Sequence, residues 1–404
     1  MVSLNKVKLG LNMKFFIQTF GCQMNEADSQ EMAGHLQARG LSATASPEDA
    51  DVLVLNTCTV RQHAEQRALS YIGRLRAWKE KKNPRKIIVA GCAAERLKKN
   101  LRHRFNHIDL VAGAKSIEEF PRLLDSILGK DYNWFEESEI SFGAGDLRNV
   151  GKPLLLGQEE TTAFVTIMRG CNYSCSYCIV PSVRGREIYR DKSIILKEIE
   201  DKAAAGAKEL MLLGQTVNSY WHKLGTAPYS PEKLGAVPNF YDFSDLLTDV
   251  EKIKGISSIK FMSPHPHYMS DKLIATIAAS KKISSQIHLP VQSGSNPVLK
   301  RMKRNYTREE YIELHKKLSA AKKDLQLSTD FIVGFPNETD EDFNLTLDLA
   351  ERVPFSLAYC FKYSPRPGTE SHAFNDTVPQ AVKEDRLAQL LKKLETKKEC
   401  SASS

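Results

Sequence analysis

The sequence predicts an α/β protein in two parts, an N-terminal doubly wound parallel sheet and then a partial barrel of six β/α units. Three observations point there. Short apolar runs of strand length recur along the chain, each followed by a helix-like stretch. The alternation breaks once, over residues 127–160, and then resumes. Six units follow the break, too few for a closed eight-stranded barrel, which leaves a partial barrel or an open wound sheet.

In the first part, KFFIQTF (14–20), DVLVLNT (51–57) and KIIVAG (86–91) read as strands, and 109–112 as a fourth. Helices are expected over 26–39 and 61–82. The acidic, aromatic and then Gly-rich stretch 127–160 reads as a linker or irregular arm. The later strands are AFVTIMR (163–169), KELMLLG (208–214), SSIKFMS (257–263), SSQIHLP (284–290), LSTDFIVG (327–334) and SLAYCFKY (356–363). Gly and Pro at 223–240 lengthen one connection, and 380–398 forms a last amphipathic helix. Domains are therefore expected at 13–126 and 161–380, with a terminal helix and tail over 381–404.

Composition sets limits on function. With 404 residues, 42% hydrophobic and 26% charged, the chain is ordinary for a soluble protein. No run of ~18 uncharged apolar residues exists, so no membrane span is expected. The N-terminal segment reads as a ragged end entering a first strand, not as a signal peptide. Eight cysteines without an export signal fit a reducing cytoplasm, with thiols kept for chemistry.

Six of those cysteines fall into two sets. Cys171, Cys175 and Cys178 stand in RGCNYSCSYC, directly after a strand. C-x3-C-x2-C on one loop suits three corners of a cubane iron–sulfur cluster, whereas a structural zinc takes four ligands and no fourth lies nearby. Three ligands leave one iron open to a small molecule that binds through an amine and a carboxylate, as S-adenosylmethionine does. Polar runs at the following strand ends (LLGQTVNSY, SPHP, PVQSGS, YSPRPGT) would receive it. Cys22, Cys58 and Cys92 each follow a strand of the first part, at intervals of about one βα unit. In a parallel sheet such residues share the carboxyl edge, where doubly wound folds bind ligands, so a second three-cysteine cluster is expected. Cys360 and Cys400 receive no role.

The net charge of +8 is unevenly spread, with 14 Lys/Arg against 3 Asp/Glu between Arg61 and Arg104. Such a run beside Cys58 and Cys92 favours a polyanionic partner, read here as RNA. KRMKRNYTR (300–308) is a second candidate phosphate contact.

RGCNYSCSYCIVPSVRGRE resembles the radical S-adenosylmethionine superfamily motif as found in methylthiotransferases, and the Cys22, Cys58, Cys92 trio is similar to that family's second-cluster domain. FGCQMNEADS, CIVPSVRGRE and FKYSPRPGT look most like the tRNA-modifying branch that makes 2-methylthio-N6-isopentenyladenosine. The resemblance implies a 4Fe-4S cluster on Cys171, Cys175 and Cys178 that reductively cleaves S-adenosylmethionine to a 5′-deoxyadenosyl radical, which takes hydrogen from carbon 2 of the modified adenine. It implies an auxiliary 4Fe-4S cluster on Cys22, Cys58 and Cys92 as the sulfur source, with a second S-adenosylmethionine supplying the methyl group. Gln215, Asn218, Ser263, His265 and Gln292 are the implied cofactor contacts, and Arg184, Arg186 and Arg366 the substrate contacts, because guanidinium groups suit phosphate. The implied partners are a tRNA anticodon loop and a flavodoxin-type electron donor, for a cytoplasmic monomer without membrane attachment.

The chain departs from the family pattern at Thr216, where Asn is usual, and at Asn337, where Gly is common. Relatives usually continue for ~60–70 residues as a small RNA-binding β-barrel, which is not expected in a chain ending at Ser404, so tRNA binding is expected to be weaker and more salt-sensitive. The same chemistry on a threonylcarbamoyladenosine tRNA or a ribosomal-protein aspartate is an alternative reading. A non-catalytic iron–sulfur carrier is another, disfavoured because a carrier cluster benefits from a fourth protein ligand.

Overall fold

The computed structural model describes residues 13–60, 62–82, 84–128, 161–223 and 240–402, and divides into two units, Met1–Glu160 and Thr161–Ser404. The N-terminal ragged end, Arg61, most of the 127–160 arm, residues 224–239 of the long connection and the Cys400 side chain lie outside the described residues.

In the first unit the elements run β1 (Lys14–Thr19), α1 (Gln23–Ala38), β2 (Ser42–Ala43), β3 (Val52–Thr57), α2 (Gln62–Glu80), β4 (Lys86–Gly91), α3 (Cys92–Arg104), β5 (Leu110–Gly113) and α4 (Phe120–Leu128). The sheet order is β2-β1-β3-β4-β5, and every pairing is parallel. Alternate strand residues feed two cores. Phe15, Ile17, Val54 and Ile88 pack under α1 and α4, while Phe16, Leu53, Leu55 and Val89 pack under α2 and α3. A sheet covered on both faces needs apolar side chains pointing both ways, which is why these strands read as continuous apolar runs. The edge strand β2 has only two residues and no apolar run to announce it.

The second unit runs β6 (Thr162–Thr166), β7 (Met168–Arg169), α5 (Val180–Arg184), β8 (Ile188–Tyr189), α6 (Lys192–Ala204), β9 (Glu209–Leu213), β10 (Trp221–Lys223), β11 (Phe240–Asp242), α7 (Phe243–Glu251), β12 (Ser258–Phe261), α8 (Asp271–Ala279), β13 (Gln286–His288), α9 (Asn296–Arg301), α10 (Arg308–Ala321), β14 (Gln326–Val333), α11 (Asp340–Arg352), β15 (Phe355–Lys362) and α12 (Gln380–Ala402). Parallel sheets β6-β9-β12 and β13-β14-β15 are joined by a parallel bridge from Ile259 to Ile283. Six parallel strands thus follow one another in chain order, with no pairing between β6 and β15 among the described residues. This is the expected partial barrel. Its helices share one core with the strands, and α12 joins that core through the fully buried Leu390 and packs against β15 and α11. Capping boxes at Thr307/Glu310 and Thr339/Asp342 start α10 and α11, each satisfying backbone donors that a helix N-terminus leaves open.

Candidate iron–sulfur and cofactor sites

In the first unit, register decides which strand ends meet. Thr19 of β1 lies opposite Asn56 of β3, and Thr57 lies opposite Gly91 of β4. Cys22, Cys58 and Cys92 therefore follow three neighbouring strands at one carboxyl edge. The order 2-1-3-4-5 places its switch point between β1 and β3, the position where such sheets bind ligands. Cys58 and Cys92 are buried and Cys22 is half-buried at the start of α1.

A polar network holds this edge. Asn25 Nδ2 donates to Asn56 Oδ1 (2.9 Å), and Asn56 Nδ2 donates to Asn25 O (2.7 Å) and Ser29 Oγ (3.0 Å). Thr57 Oγ1 donates to Ala90 O (2.6 Å) and accepts from Ala94 N, tying β3 to β4 and α3. Asn25, Asn56 and Ser29 are fully buried, so the network costs stability unless each member is paired, and each is. Gly91 sits at φ +94°, where a Cβ would lie 2.4 Å from Asn56 Oδ1 and from Thr57 O. The edge has no room for a side chain there.

The basic run lies on α2, α3 and their loops, and much of it is paired. Lys79 and Lys86 reach Asp109, Lys82 reaches Asp51 (2.7 Å), and Arg96 binds Glu65. Arg85 is buried over the Trp78 ring. Lys99 and Arg102 on α3 remain exposed, with no acidic partner among the described residues.

In the second unit, Cys171, Cys175 and Cys178 occupy the loop between β7 and α5, all half-buried. The loop is fastened at several points. Cys171 N donates to Gly185 O (3.1 Å), between Arg184 and Arg186. Ser176 donates from its backbone N to Met302 O and from Oγ to Arg301 O (2.8 Å), and its own carbonyl accepts from Ser371 N (2.7 Å). Gly170 has φ +74°, and a Cβ there would meet Arg186 O at 2.0 Å, so the turn into the first cysteine requires glycine.

Two side chains touch the thiols. Thr216 Oγ1 lies 3.6 Å from Cys171 Sγ, and Arg304 Nη1 donates to Cys175 Sγ at 3.4 Å. Arg304 also donates to Tyr306 Oη (3.0 Å) and Pro290 O. Burial works against its charge, but Tyr306, Tyr177 and Cys175 outweigh that and raise its pKa, so it stays a guanidinium. It has no carboxylate partner among the described residues. Burial, with neighbouring Cys175, pushes the Cys178 thiol up to about 12, and burial also raises Cys171. These thiols hold their protons until a metal displaces them. Among the described residues no three His, Cys, Asp or Glu side chains converge on a single ion. A cubane sets each thiolate on a different iron and so asks for a wider spread than one zinc does.

The strand-end candidates surround this loop unevenly. Gln215 follows β9 beside Thr216, and its buried Oε1 has no hydrogen-bond partner among the described residues. Asn218 and His265 clasp each other across two strand ends, Asn218 Nδ2 to His265 O (2.9 Å) and His265 N to Asn218 Oδ1 (2.7 Å). The His265 ring stacks on Tyr173 of the cysteine loop, centroids 4.1 Å apart. Burial first, then Arg304 and His267, lowers its pKa to about 2, so it is neutral. Its Nδ1 accepts from His267 N (3.2 Å), which puts the proton on Nε2, buried and without a partner among the described residues. Ser263 and Gln292 both take left-handed backbone (φ +59° and +73°), and Gln292 pairs through its backbone with Asp330 and Ile332. Arg184 is buried, Arg186 is exposed and Arg366 is half-buried in a turn closed by Thr369. Thus Gln215, Asn218 and His265 gather near the loop, whereas Ser263 and Gln292 are marked by their left-handed backbone.

In KRMKRNYTR most of the charge is paired or turned inward, and Lys300 is exposed. Arg301 pairs with Asp342, Lys303 with Glu370 and Arg308 with Asp348, while Arg304 turns inward to Cys175. Arg304, Tyr173 and Tyr306 were not singled out from the sequence. The spacing of apolar Met302 and Tyr306 around Arg304 was the available signal, since both pack inward.

Comparison with known proteins shows the family of the chain. Residues 14–113 match the Uncharacterized protein family UPF0004, and residues 165–350 match the Radical SAM superfamily. The chain is similar to the tRNA-2-methylthio-N(6)-dimethylallyladenosine synthases of Pelotomaculum thermopropionicum (41% identity, covering 94% of this chain and 81% of that one) and Caldicellulosiruptor saccharolyticus (42%, covering 96% and 79%). Among solved structures it shares its fold with the radical S-adenosylmethionine methyltransferase TsrM of Kitasatospora setae, at a TM-score of 0.61 and 12% identity over 89% of this chain and 77% of that one. The cobalamin-dependent radical enzyme OxsB gives 0.56 at 14%, over 95% and 56%. On identity sustained over nearly its whole length, the chain belongs to the tRNA-2-methylthio-N(6)-dimethylallyladenosine synthase family of radical S-adenosylmethionine enzymes.

Proposed function

We propose that the chain converts N6-dimethylallyladenosine beside the tRNA anticodon to its 2-methylthio derivative. The observation that carries this is identity of about 40% with tRNA-2-methylthio-N(6)-dimethylallyladenosine synthases over more than nine-tenths of the chain. Carbon 2 of adenine is not acidic and resists polar substitution, so a cofactor must carry the reaction. Two 4Fe-4S clusters and S-adenosylmethionine, when bound, supply radical hydrogen abstraction, sulfur and methyl.

The protein's own groups support this assignment. Cys171, Cys175 and Cys178 would hold one cluster and Cys22, Cys58 and Cys92 the other. The orphaned Gln215 Oε1 accepts and the His265 Nε2–H donates, a complementary pair for the amine and carboxylate of S-adenosylmethionine. The Asn218–His265 clasp holds that ring, and Tyr173 stacking fixes its tilt. The left-handed turns at Ser263 and Gln292 shape the remaining cofactor contacts. Arg184, Arg186 and Arg366 are the proposed substrate contacts, of which Arg186 is exposed. One low-potential electron must come from outside the chain, for which a flavodoxin-type donor is proposed, acting on a cytoplasmic monomer. Among the described residues no helix is long and apolar enough to cross a membrane.

Nucleoside mass spectrometry of tRNA from cells lacking the protein tests the proposal. Loss of the 2-methylthio group with the dimethylallyl group retained is the expected result, and an unchanged nucleoside profile would sink it.

A further inference from the structure

The strand β15 alternates in a way that core packing does not explain. Leu357, Tyr359 and Phe361 are 41%, 49% and 49% exposed, three large apolar side chains in a row on one face. Scattered exposed apolar residues are ordinary, but a contiguous stripe on a single strand is not. Across the ladder these residues lie opposite Ser328, Asp330 and Ile332 of β14. The other face of β14 sends Leu327, Phe331 and Val333 into the core beneath the helices. The stripe therefore faces the inside of the partial barrel, away from the helices.

Its surroundings are chemically mixed. The Tyr359 ring stands edge-on to His288, with centroids 6.0 Å apart. His288 is in turn placed by Ser328 Oγ (3.1 Å) and Asp330 Oδ2 (3.3 Å). At the carboxyl end, Ile332, the partner of Phe361, packs against the same small cluster (Val298, Met302, Phe335, Tyr363) that receives Tyr177 of the cysteine loop. One end of the stripe thus adjoins the loop proposed to carry the radical chemistry. Its middle offers an aromatic ring beside a polar pair.

We infer that Leu357, Tyr359 and Phe361 bind the N6-dimethylallyl adenine of the substrate, the branched alkyl group against Leu357 and Phe361 and the base against Tyr359. This rests on the tRNA-methylthiotransferase reading. A splayed RNA base seeks an aromatic face, and its five-carbon branched substituent is the apolar group that such a stripe can take out of water. His288 and Asp330 then meet the polar edge of the base. The stripe is a specificity determinant that separates prenylated from plain adenine.

The test is affinity of the reconstituted holoenzyme for an anticodon stem-loop RNA made with and without the dimethylallyl group. Wild-type protein is expected to bind the prenylated RNA at least about tenfold more tightly, since even one methylene in an apolar pocket can be worth that much. Leu357→Ser and Phe361→Ser should abolish the preference while leaving affinity for the plain RNA as it was. Phe361→Leu, which keeps an apolar side chain, should retain most of it. A preference that survives both serine variants overturns the inference, and so does a serine variant that changes only sedimentation, which would mark the stripe as a contact between copies of the chain. Wild-type protein that neither prefers nor methylthiolates the prenylated RNA would instead overturn the functional reading beneath it.

Discussion

Arg304 Nη1 donates to Cys175 Sγ at 3.4 Å, so a guanidinium with no carboxylate partner among the described residues meets a proposed cluster ligand directly. A cubane core on three thiolates is anionic and becomes more so on reduction. A cation bonded to one of its sulfurs stabilises the reduced form more than the oxidised form. Arg304→Gln is expected to lower the midpoint potential of that cluster by about 60 mV, the one-electron equivalent of a tenfold shift. Arg304→Lys should fall between the two. Redox titration followed by electron paramagnetic resonance measures it, and an unchanged potential in the glutamine variant would remove Arg304 from this role.

Two clusters predict iron stoichiometry. Anaerobically reconstituted wild-type protein should hold about eight irons, and the triple variant Cys22→Ala, Cys58→Ala, Cys92→Ala about four. The complementary triple at Cys171, Cys175 and Cys178 should also retain about four. Eight irons in either variant would show that the cysteine set has been misassigned.

The exposed face of α3 predicts a salt dependence. Lys99→Ala and Arg102→Ala should each weaken tRNA binding without changing sequence preference and reduce the slope of log affinity against log salt by about 1. The paired Lys79 and Lys82 should have smaller effects on that slope, because their charges already face Asp109 and Asp51. Equal slopes for all four variants would deny the surface a docking role.

His35 on α1 predicts a pH effect on stability. Burial, and then the nearby Arg39 charge, lowers its pKa from 6.5 to about 4. The unfolded chain binds this proton below pH ~6.5 and the folded chain only below ~4, so stability is complete above 6.5 and falls as pH drops between those values. The loss is at most about 3 kcal/mol, from ~1.4 kcal/mol per pKa unit. Denaturant unfolding of wild-type protein and His35→Gln at pH 7 and pH 4.5 checks it. The variant should lose less stability between the two, and an equal loss would place the effect elsewhere.

Much of the fold was legible because its signals are local. Strand-length apolar runs such as KIIVAG declare a sheet buried on both faces, and six of them after residue 161 count out an incomplete barrel. The loop Cys171–Cys178 was legible for the same reason, since its three thiols sit within eight residues of chain. The two-residue β2 was not, because an edge strand that buries nothing leaves no pattern.

The sequence by itself determined the element order, the two cysteine sets and the glycines that let the chain turn at Gly91 and Gly170. Tertiary structure alone decided which distant groups meet. Parallel register set Cys22, Cys58 and Cys92 at one edge, and it turned Leu357, Tyr359 and Phe361 to one face of the barrel. Folding also sorted the charges. Within KRMKRNYTR, Arg301, Lys303 and Arg308 found carboxylates from later helices and turns, and Arg304 found a sulfur 129 residues back in the chain. A run of like charges looks uniform in one dimension, because the partner that gives each residue its role is supplied by another part of the fold.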